Sequence, residues 1–261
     1  MQDASKLPLE VRTYMREIGL RPAEYLDKAI EKSFGYLKGG EIIDEMNRLF
    51  DLDEAIRRSG RSVSGRQKEI VDYVNSSLEL SLLCSSYYDW HVMRAVMARI
   101  CRYSEYFGSV ILDVGCGNGI ITLFTARHFR ERRVYGTDIS KAVLKTASAL
   151  ADRLQMPTDL FFQPGDSLKA FCDTVMSIRI MHENADAAKY AGYLAECLKI
   201  GGTLFAFERV AMNEPGDEIV RMYSSAGFML VPETFEKIYC PTGDEMGSFV
   251  CAVFRLERLC R

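Results

Sequence analysis

The sequence lacks most of the features that mark membrane, secreted or metal-binding proteins. In its 261 residues, no apolar run approaches the ~18 residues of a membrane-spanning helix. The first residues lack the charged-then-apolar pattern of a secretory leader. The eight cysteines form no C-x-x-C pair and no cluster along the chain with the three histidines. We therefore expect a cytoplasmic protein with reduced thiols, no membrane segment and no metal.

A basic excess is also missing. The chain has 33 Lys and Arg against 36 Asp and Glu, a net charge of −3. Because dedicated nucleic-acid binders usually carry a basic surplus, nucleic acid is not an expected partner. The apolar content of 48% is enough for a sizeable core. Composition thus favours a compact soluble enzyme, built as one large domain or as a domain with an appendage.

The most informative stretch is Val110–Gly119, which reads V-I-L-D-V-G-C-G-N-G. Its apolar start predicts a buried strand ending near Asp113. The three glycines that follow predict a tight turn in which the backbone approaches a ligand too closely for a Cβ atom. A dinucleotide-binding loop, G-x-G-x-x-G, would need glycine where Ile120 stands. The G-x-G-x-G pattern instead resembles the first motif of class I SAM-dependent methyltransferases.

Two downstream turns support that resemblance. The strand Arg133–Thr137 is followed by Asp138, about 20 residues after the glycine loop, where an acid can accept both ribose hydroxyls. A short strand at Leu160–Gln163 then leads to Asp166, and in this family an acid there commonly faces the adenine amino group. The resemblance implies S-adenosylmethionine (SAM) as cofactor, with S-adenosylhomocysteine as product. The implied cofactor-binding residues are Asp113, Gly115, Cys116, Gly117, Gly119, Asp138, Ile139, Asp166, Ser167 and Arg179.

The pattern of strands and helices divides the chain in two. Residues 106–261 alternate apolar strands with amphipathic helices, which predicts an α/β, doubly wound sheet. The resemblance implies the Rossmann-like, seven-stranded sheet of class I methyltransferases, with an antiparallel edge pair near Phe235–Cys240 and Phe249–Leu256. Residues 1–105 show helical spacing without strand alternation. We predict for them an N-terminal helical cap that binds substrate over a SAM-binding domain.

One segment of this cap is strongly basic. Residues 57–68 carry five cations and no acid, with serine and glycine between them. They are either a solvated linker between helices or a mobile loop that closes over an anionic substrate.

The end of the fourth predicted strand carries the candidate chemistry. Ser177–Glu183 reads S-I-R-I-M-H-E and resembles the R-x-x-H-D segment of small-molecule O-methyltransferases of the caffeate and hydroxyindole type. The resemblance implies His182 as general base, Glu183 beside it and Arg179 near the cofactor. An ordinary histidine pKa of ~6.5 suits proton abstraction at neutral pH. The alternative is a histidine that packs at a strand end or caps a helix.

This chain also departs from that family. Glu183 stands where the family usually has Asp, and the family's N-terminal winged-helix dimerisation domain is not evident, so a homodimer is left open. A second cluster, Tyr87–His91, contains the only tryptophan. In many small-molecule methyltransferases such a segment covers the cleft, which implies that Tyr87, Tyr88 and Trp90 bind substrate. His91 is a second candidate for the base, and ordinary cap-to-sheet packing is the alternative.

Three functions remain open from the sequence. The first is methyl transfer to oxygen or an acidic carbon of a small-molecule substrate, with His182 as base. The second is methylation of a macromolecule, RNA or protein, which only the basic segment 57–68 favours. The third is a SAM-fold module without catalysis, and an intact glycine loop with Asp138 speaks against it. The fold alone does not choose between them.

Overall fold

The computed structural model describes residues 7–20, 70–165, 168–181, 186–242 and 245–257. Several predicted features lie outside these residues: the basic segment 57–68, most of the helical cap, Asp166, Ser167, His182 and Glu183. Among the described helices, none combines the length and the apolar character needed to cross a membrane.

Six helices are labelled here in chain order: α1 (Leu9–Glu17), α2 (Leu78–Arg102), α3 (Ile120–His128), α4 (Lys141–Arg153), α5 (Ala187–Cys197) and α6 (Asp217–Ser225). Three of them begin at a side chain that accepts a bond from the first turn, and this stabilises a helix start by about 1 kcal/mol. Ser77 caps α2, Ser140 caps α4 and Asp186 caps α5.

The strands form one mixed sheet. They are β1 (Val110–Val114), β2 (Arg133–Thr137), β3 (Phe161–Phe162), β4 (Cys172–Ile178), β5 (Leu198–Val210), β6 (Phe228–Leu230), β7 (Glu236–Thr242) and β8 (Glu245–Leu256). The path runs β3-β2-β1-β4-β5-β8-β6, parallel from β3 to β5 and antiparallel beyond it. The predicted α/β class is present, and the described sheet has eight strands where seven were predicted.

An eighth strand widens one edge of the sheet. The 12-residue strand β8 is long enough to pair with β7 along its first half and with β6 along its second. The predicted antiparallel pair near the chain end is β7 with β8. Strand β6 was not predicted, because its three residues are too few for an alternating pattern to stand out.

Both faces of the sheet are covered, as a doubly wound fold requires. Successive strand residues point to opposite faces. Ile111 packs with the cluster that contains α1, α2 and α3, whereas Leu112 packs with the cluster that contains α5 and α6. Both side chains are fully buried. Because β1 pairs in parallel with both β2 and β4, the carboxyl ends of these three strands share one edge of the sheet. The predicted site residues lie at this edge.

Helix α2 is a single helix of 25 residues, and the Tyr87–His91 cluster lies in the middle of it. The end of α2 is fixed to β7 by Glu236, which accepts bonds from Arg99 at 3.0 Å and Arg102 at 2.7 Å. Helix α2 thus packs directly on the sheet, and the domain boundary near residue 105 stays a prediction.

Candidate active site

The glycine loop between β1 and α3 has a backbone that other residues rarely adopt. Gly115, Gly117 and Gly119 have φ of 72°, 54° and 77°, all in the left-handed region that favours glycine. A Cβ at position 115 would lie 2.4 Å from the Ile180 side chain, and one at position 119 would lie 2.7 Å from Phe161. Gly117 differs, because no heavy atom lies within 4 Å of its Cβ position. The open side of the loop is therefore at Gly117.

The end of β2 holds this loop in place. The N–H groups of Gly115 and Cys116 donate to the Thr137 carbonyl at 2.7 and 3.0 Å. The Cys116 side chain is buried, and a Cβ at Gly136 would lie 2.9 Å from the Cβ of Cys116. The contacts of Cys116 therefore support the loop from inside, and its place in a cofactor site stays a prediction.

Asp138 lies directly beside the open side of the loop. Its carboxylate accepts the Gly117 N–H at 3.2 Å and the Ser140 N–H at 2.9 Å. Burial raises the pKa of this carboxyl, while its bonds to backbone N–H groups lower it. The next side chain, Ile139, is 84% exposed, and its carbonyl accepts a bond from Gln163 at 3.1 Å. A carboxylate beside an exposed apolar side chain and an open glycine fits the ribose and base of a nucleoside.

Asp113 is buried at the end of β1, and its predicted contact with the cofactor stays a prediction. Its side chain is 2% exposed and accepts the Thr122 hydroxyl of α3 at 2.6 Å. Burial raises the pKa of Asp113 to about 7, against the opposing effect of the Thr122 bond. These contacts support a role for Asp113 in fixing the start of α3 to the end of β1.

A polar stripe on α2 faces the sheet edge, and sequence reasoning missed it. The Asn118 amide donates to Ser81 and Ser85, each at 2.9 Å. One turn further along α2, Asp89 forms an ion pair with Arg179 at the end of β4. The spacing of four residues between Ser81, Ser85 and Asp89 puts them on one helix face. Polar residues at this spacing in an otherwise apolar helix could have revealed the stripe.

Arg179 joins three elements at the end of β4. Its φ of 61° lies in the left-handed region, which costs a non-glycine residue on the order of 1 kcal/mol or more. Its N–H donates to the Phe207 carbonyl of β5 at 2.8 Å, and its guanidinium pairs with Asp89 of α2. Backbone strain of this kind concentrates at functional sites. The placement of Arg179 near the cofactor stays a prediction.

The aromatic cluster of α2 covers nearly half of the helix circumference. At about 100° per residue, Tyr87, Tyr88, Trp90 and His91 span an arc of about 160°. All four are half-buried. The Trp90 ring meets His91 edge-on at 4.7 Å and carries the Arg94 guanidinium 4.1 Å from its centre. The substrate-binding role of Tyr87, Tyr88 and Trp90 stays a prediction.

A buried acid supports the turn that leads to the predicted base. Glu208 of β5 accepts bonds from Ser177 at 2.5 Å, Tyr223 at 3.1 Å and the Met181 N–H at 3.1 Å. Burial raises the pKa of Glu208 to about 7, although these donors lower it. Met181 directly precedes His182, which is outside the described residues. Sequence reasoning assigned Glu208 no role, although an acid inside the apolar run of β5 was a readable signal.

Comparisons with known proteins agree with this geometry. Residues 111–202 match a family described as a methyltransferase domain. The chain is 39% identical over 74 residues to an Aspergillus luteorubrus protein named probable methyltransferase ltbC. It is 32% identical over 136 residues, 50% of this chain, to protein arginine N-methyltransferase 2 of Mus musculus.

Residues 111–202 are therefore similar to methyltransferase domains. This bears out the predicted methyltransferase family for that part of the chain, and SAM is the cofactor that such a domain implies. The aligned parts span only about a quarter of each relative, 26% of the first and 27% of the second.

Solved structures agree with this methyltransferase domain at the level of fold. A Bacillus halodurans protein described as a methyltransferase superposes with a TM-score of 0.51 at 14% identity, over 63% of this chain and all of that one. The [4+2]-cyclase SpnF superposes with a TM-score of 0.50 at 14% identity, over 65% of this chain and 85% of that one. Because one of these proteins is named a cyclase, the shared fold does not fix the reaction.

Proposed function

We propose that this protein transfers the methyl group of SAM to oxygen or an acidic carbon of a small molecule, with His182 as the general base. The observation that carries the proposal is how the residues just before His182 are held. Arg179 is paired with Asp89, and the Met181 N–H is bonded to the buried Glu208. Both contacts hold the described chain up to Met181 at the carboxyl edge of β4, next to the glycine loop on β1, and His182 is the next residue in the sequence.

In this proposal, one group of residues binds the cofactor and another removes the proton from the substrate. Bound SAM supplies a methyl group on a positively charged sulfur. The loop backbone at Gly117 approaches the cofactor, Asp138 accepts the ribose hydroxyls, and the exposed Ile139 side chain covers the base. His182, with Glu183 beside it, takes the proton from the substrate hydroxyl or acidic C–H, and this makes the substrate nucleophilic. Alignment of nucleophile, methyl and sulfur contributes much of the remaining acceleration.

Methylation of a protein arginine is a second candidate, favoured by the mouse relative. A guanidinium is a cation, and its binding in a cleft requires carboxylates that are not already paired. At the described sheet edge, Asp89 is already paired with the cation of Arg179. This arrangement supports a neutral or acidic substrate, such as a phenol, over a guanidinium.

We further infer that residues 1–105 contribute substrate-binding surface and that the protein works in the cytoplasm. The seven cysteines among the described residues are all free thiols, which agrees with a reducing compartment. A homodimer is compatible with the proposal and is not required by it.

The proposal is tested by incubating the purified chain and methyl-labelled SAM with a size-fractionated extract of the source cell. Label in the small-molecule fraction supports the proposal. Label in protein, at arginine, would favour the second candidate instead. Measurable SAM binding without label in any fraction would contradict both and would leave a module without catalysis. The control is Asp138→Ala, which should lose SAM binding and transfer together.

The role of His182 has its own test. His182→Ala should lower turnover by about 100-fold or more, while the Kd for SAM stays nearly unchanged, because a base acts in the chemical step. His91→Ala is the matched control and should leave turnover within a few-fold of the unmodified protein. If His91→Ala shows the large loss and His182→Ala does not, the two assignments are exchanged.

A further inference from the structure

Three side chains that are far apart in sequence meet where α1 crosses the ends of α2 and α3. The Cys101 thiol donates to one carboxylate oxygen of Glu10 at 3.0 Å, and the other oxygen lies 2.8 Å from Nδ1 of His128. Sulfur, nitrogen and carboxylate oxygen all lie within 4.8 Å of one another. The group lies at the end of α3 opposite the glycine loop. It is therefore separate from the proposed active site.

The surroundings of this group favour a cation. Cys101 lies in the last turn of α2 and His128 in the last turn of α3. Two helix C-termini, each with partial negative charge, therefore converge on the group. The carboxylate of Glu10 adds a full negative charge.

The imidazole of His128 is also held in place. Its side chain is only 17% exposed. The ring stacks on Phe124 at 6.0 Å and meets Phe129 edge-on at 4.5 Å. A donor atom fixed by packing loses little freedom when it binds an ion.

We propose that Glu10, Cys101 and His128 form a binding site for a divalent cation of the zinc class. The site would use one carboxylate oxygen, one thiolate sulfur and one imidazole nitrogen, with water as the fourth ligand. Thiolate and imidazole are preferred by zinc over magnesium or calcium, which take oxygen ligands. Ligand atoms around one tetrahedral zinc lie about 3–4 Å apart, so the observed spacing needs only small side-chain rotations. On binding, the thiol proton of Cys101 passes to solvent and the sulfur forms the bond to the metal.

Such an ion would fasten α1 to the methyltransferase domain. Helix α1 is already held through Tyr14, whose hydroxyl donates to the Ile120 carbonyl at 2.7 Å, and through Glu17, which pairs with Arg127 at 2.6 Å. The proposed ion adds a link at the start of the same helix. Its role is structural and does not depend on the proposed reaction.

The sequence offered no sign of this site. Cys101 and His128 follow Glu10 by 91 and 118 positions, so no metal-ligand spacing exists along the chain. We expected a protein without metal because no metal-ligand spacing occurs along the sequence. The fold brings these three distant residues together.

The test is a titration of the full chain with Zn²⁺ by calorimetry, followed by Co²⁺ as a spectroscopic probe of thiolate ligation. One equivalent of Zn²⁺ should bind, and Co²⁺ should show thiolate charge-transfer absorption. Glu10→Gln, Cys101→Ser and His128→Gln should each weaken Zn²⁺ binding by about 10-fold or more. His91→Gln should leave Zn²⁺ affinity unchanged, since that histidine lies outside the group.

The melting temperature gives a second readout, which distinguishes a loss of Zn²⁺ binding from a variant that does not fold. Zn²⁺ should raise the Tm of the unmodified chain but not that of Glu10→Gln, whose exposed carboxyl can be replaced without opening the core. If the unmodified chain binds no Zn²⁺, the proposal is wrong. It is equally wrong if the three variants bind Zn²⁺ as well as the unmodified chain.

Discussion

At the scale of single residues, two glycines of the loop serve different needs: Gly119 is needed for folding stability and Gly117 for SAM binding. Gly119→Ala places a Cβ 2.7 Å from Phe161 and 2.9 Å from Ala147, so we expect a loss of folding stability of about 2 kcal/mol or more. Gly117→Ala meets no neighbour and should cost only about 1 kcal/mol for its backbone conformation. It should nevertheless weaken SAM binding strongly, because its methyl group occupies the open side of the loop. Denaturation and SAM titration of both variants check this prediction. It would be contradicted if the loss of SAM-binding free energy in Gly117→Ala were no larger than its loss of folding free energy.

Glu208 gives a prediction about pH at the same scale. Its pKa is raised by burial from 4.5 to about 7, so the folded protein holds a proton that the unfolded chain releases. This contribution to stability is complete below pH ~4 and is lost as pH rises towards 7, by an amount on the order of 3 kcal/mol. Glu208→Gln has no such proton. Its stability relative to the unmodified protein should therefore improve between pH 5 and pH 8.

Asp113, whose pKa is raised in the same direction, is present in both proteins and cancels in that comparison. Urea denaturation across the pH range is the measurement. A difference that does not change with pH would mean that the donors Ser177, Tyr223 and Met181 keep Glu208 ionised despite its burial.

At the scale of elements, two ion pairs hold α2 on the sheet: Asp89 pairs with Arg179 after β4, and Arg99 pairs with Glu236 of β7. Near its C-terminus, Glu236 of β7 pairs with Arg99, whose side chain is 7% exposed. Glu236→Ala leaves that guanidinium buried without its acid, and we expect a loss of about 2–4 kcal/mol in the free energy of unfolding. The Kd for SAM should change less than 2-fold, because Glu236 lies away from the glycine loop.

Glu233→Ala is the matched control for this prediction. Its carboxylate accepts one bond from the exposed Tyr106 hydroxyl at 3.2 Å, so its loss should cost within about 0.5 kcal/mol. If Glu236→Ala is equally mild, Arg99 finds other partners and the anchor of α2 lies elsewhere.

At the scale of the whole molecule, the sequence predicted what depends on local pattern. The strand at Val110, the glycine loop and the strand before Asp138 could be predicted because each follows from a few neighbouring residues. What was missed depends on contacts between distant segments. The stripe of α2 has meaning only when Asn118 and Arg179 lie opposite it, and the buried Glu208 only when β5 lies beside β4.

The residue that joins these segments also bears on how the protein folds. Arg179 reaches back 90 positions to Asp89, and the neighbouring Met181 reaches forward 27 positions to Glu208. Contacts of such sequence separation form late, since long loops must close first. During synthesis the edge of β4 would therefore acquire its final shape only after β5 has emerged. We expect protection of this edge from hydrogen exchange to appear after protection of the glycine loop during refolding.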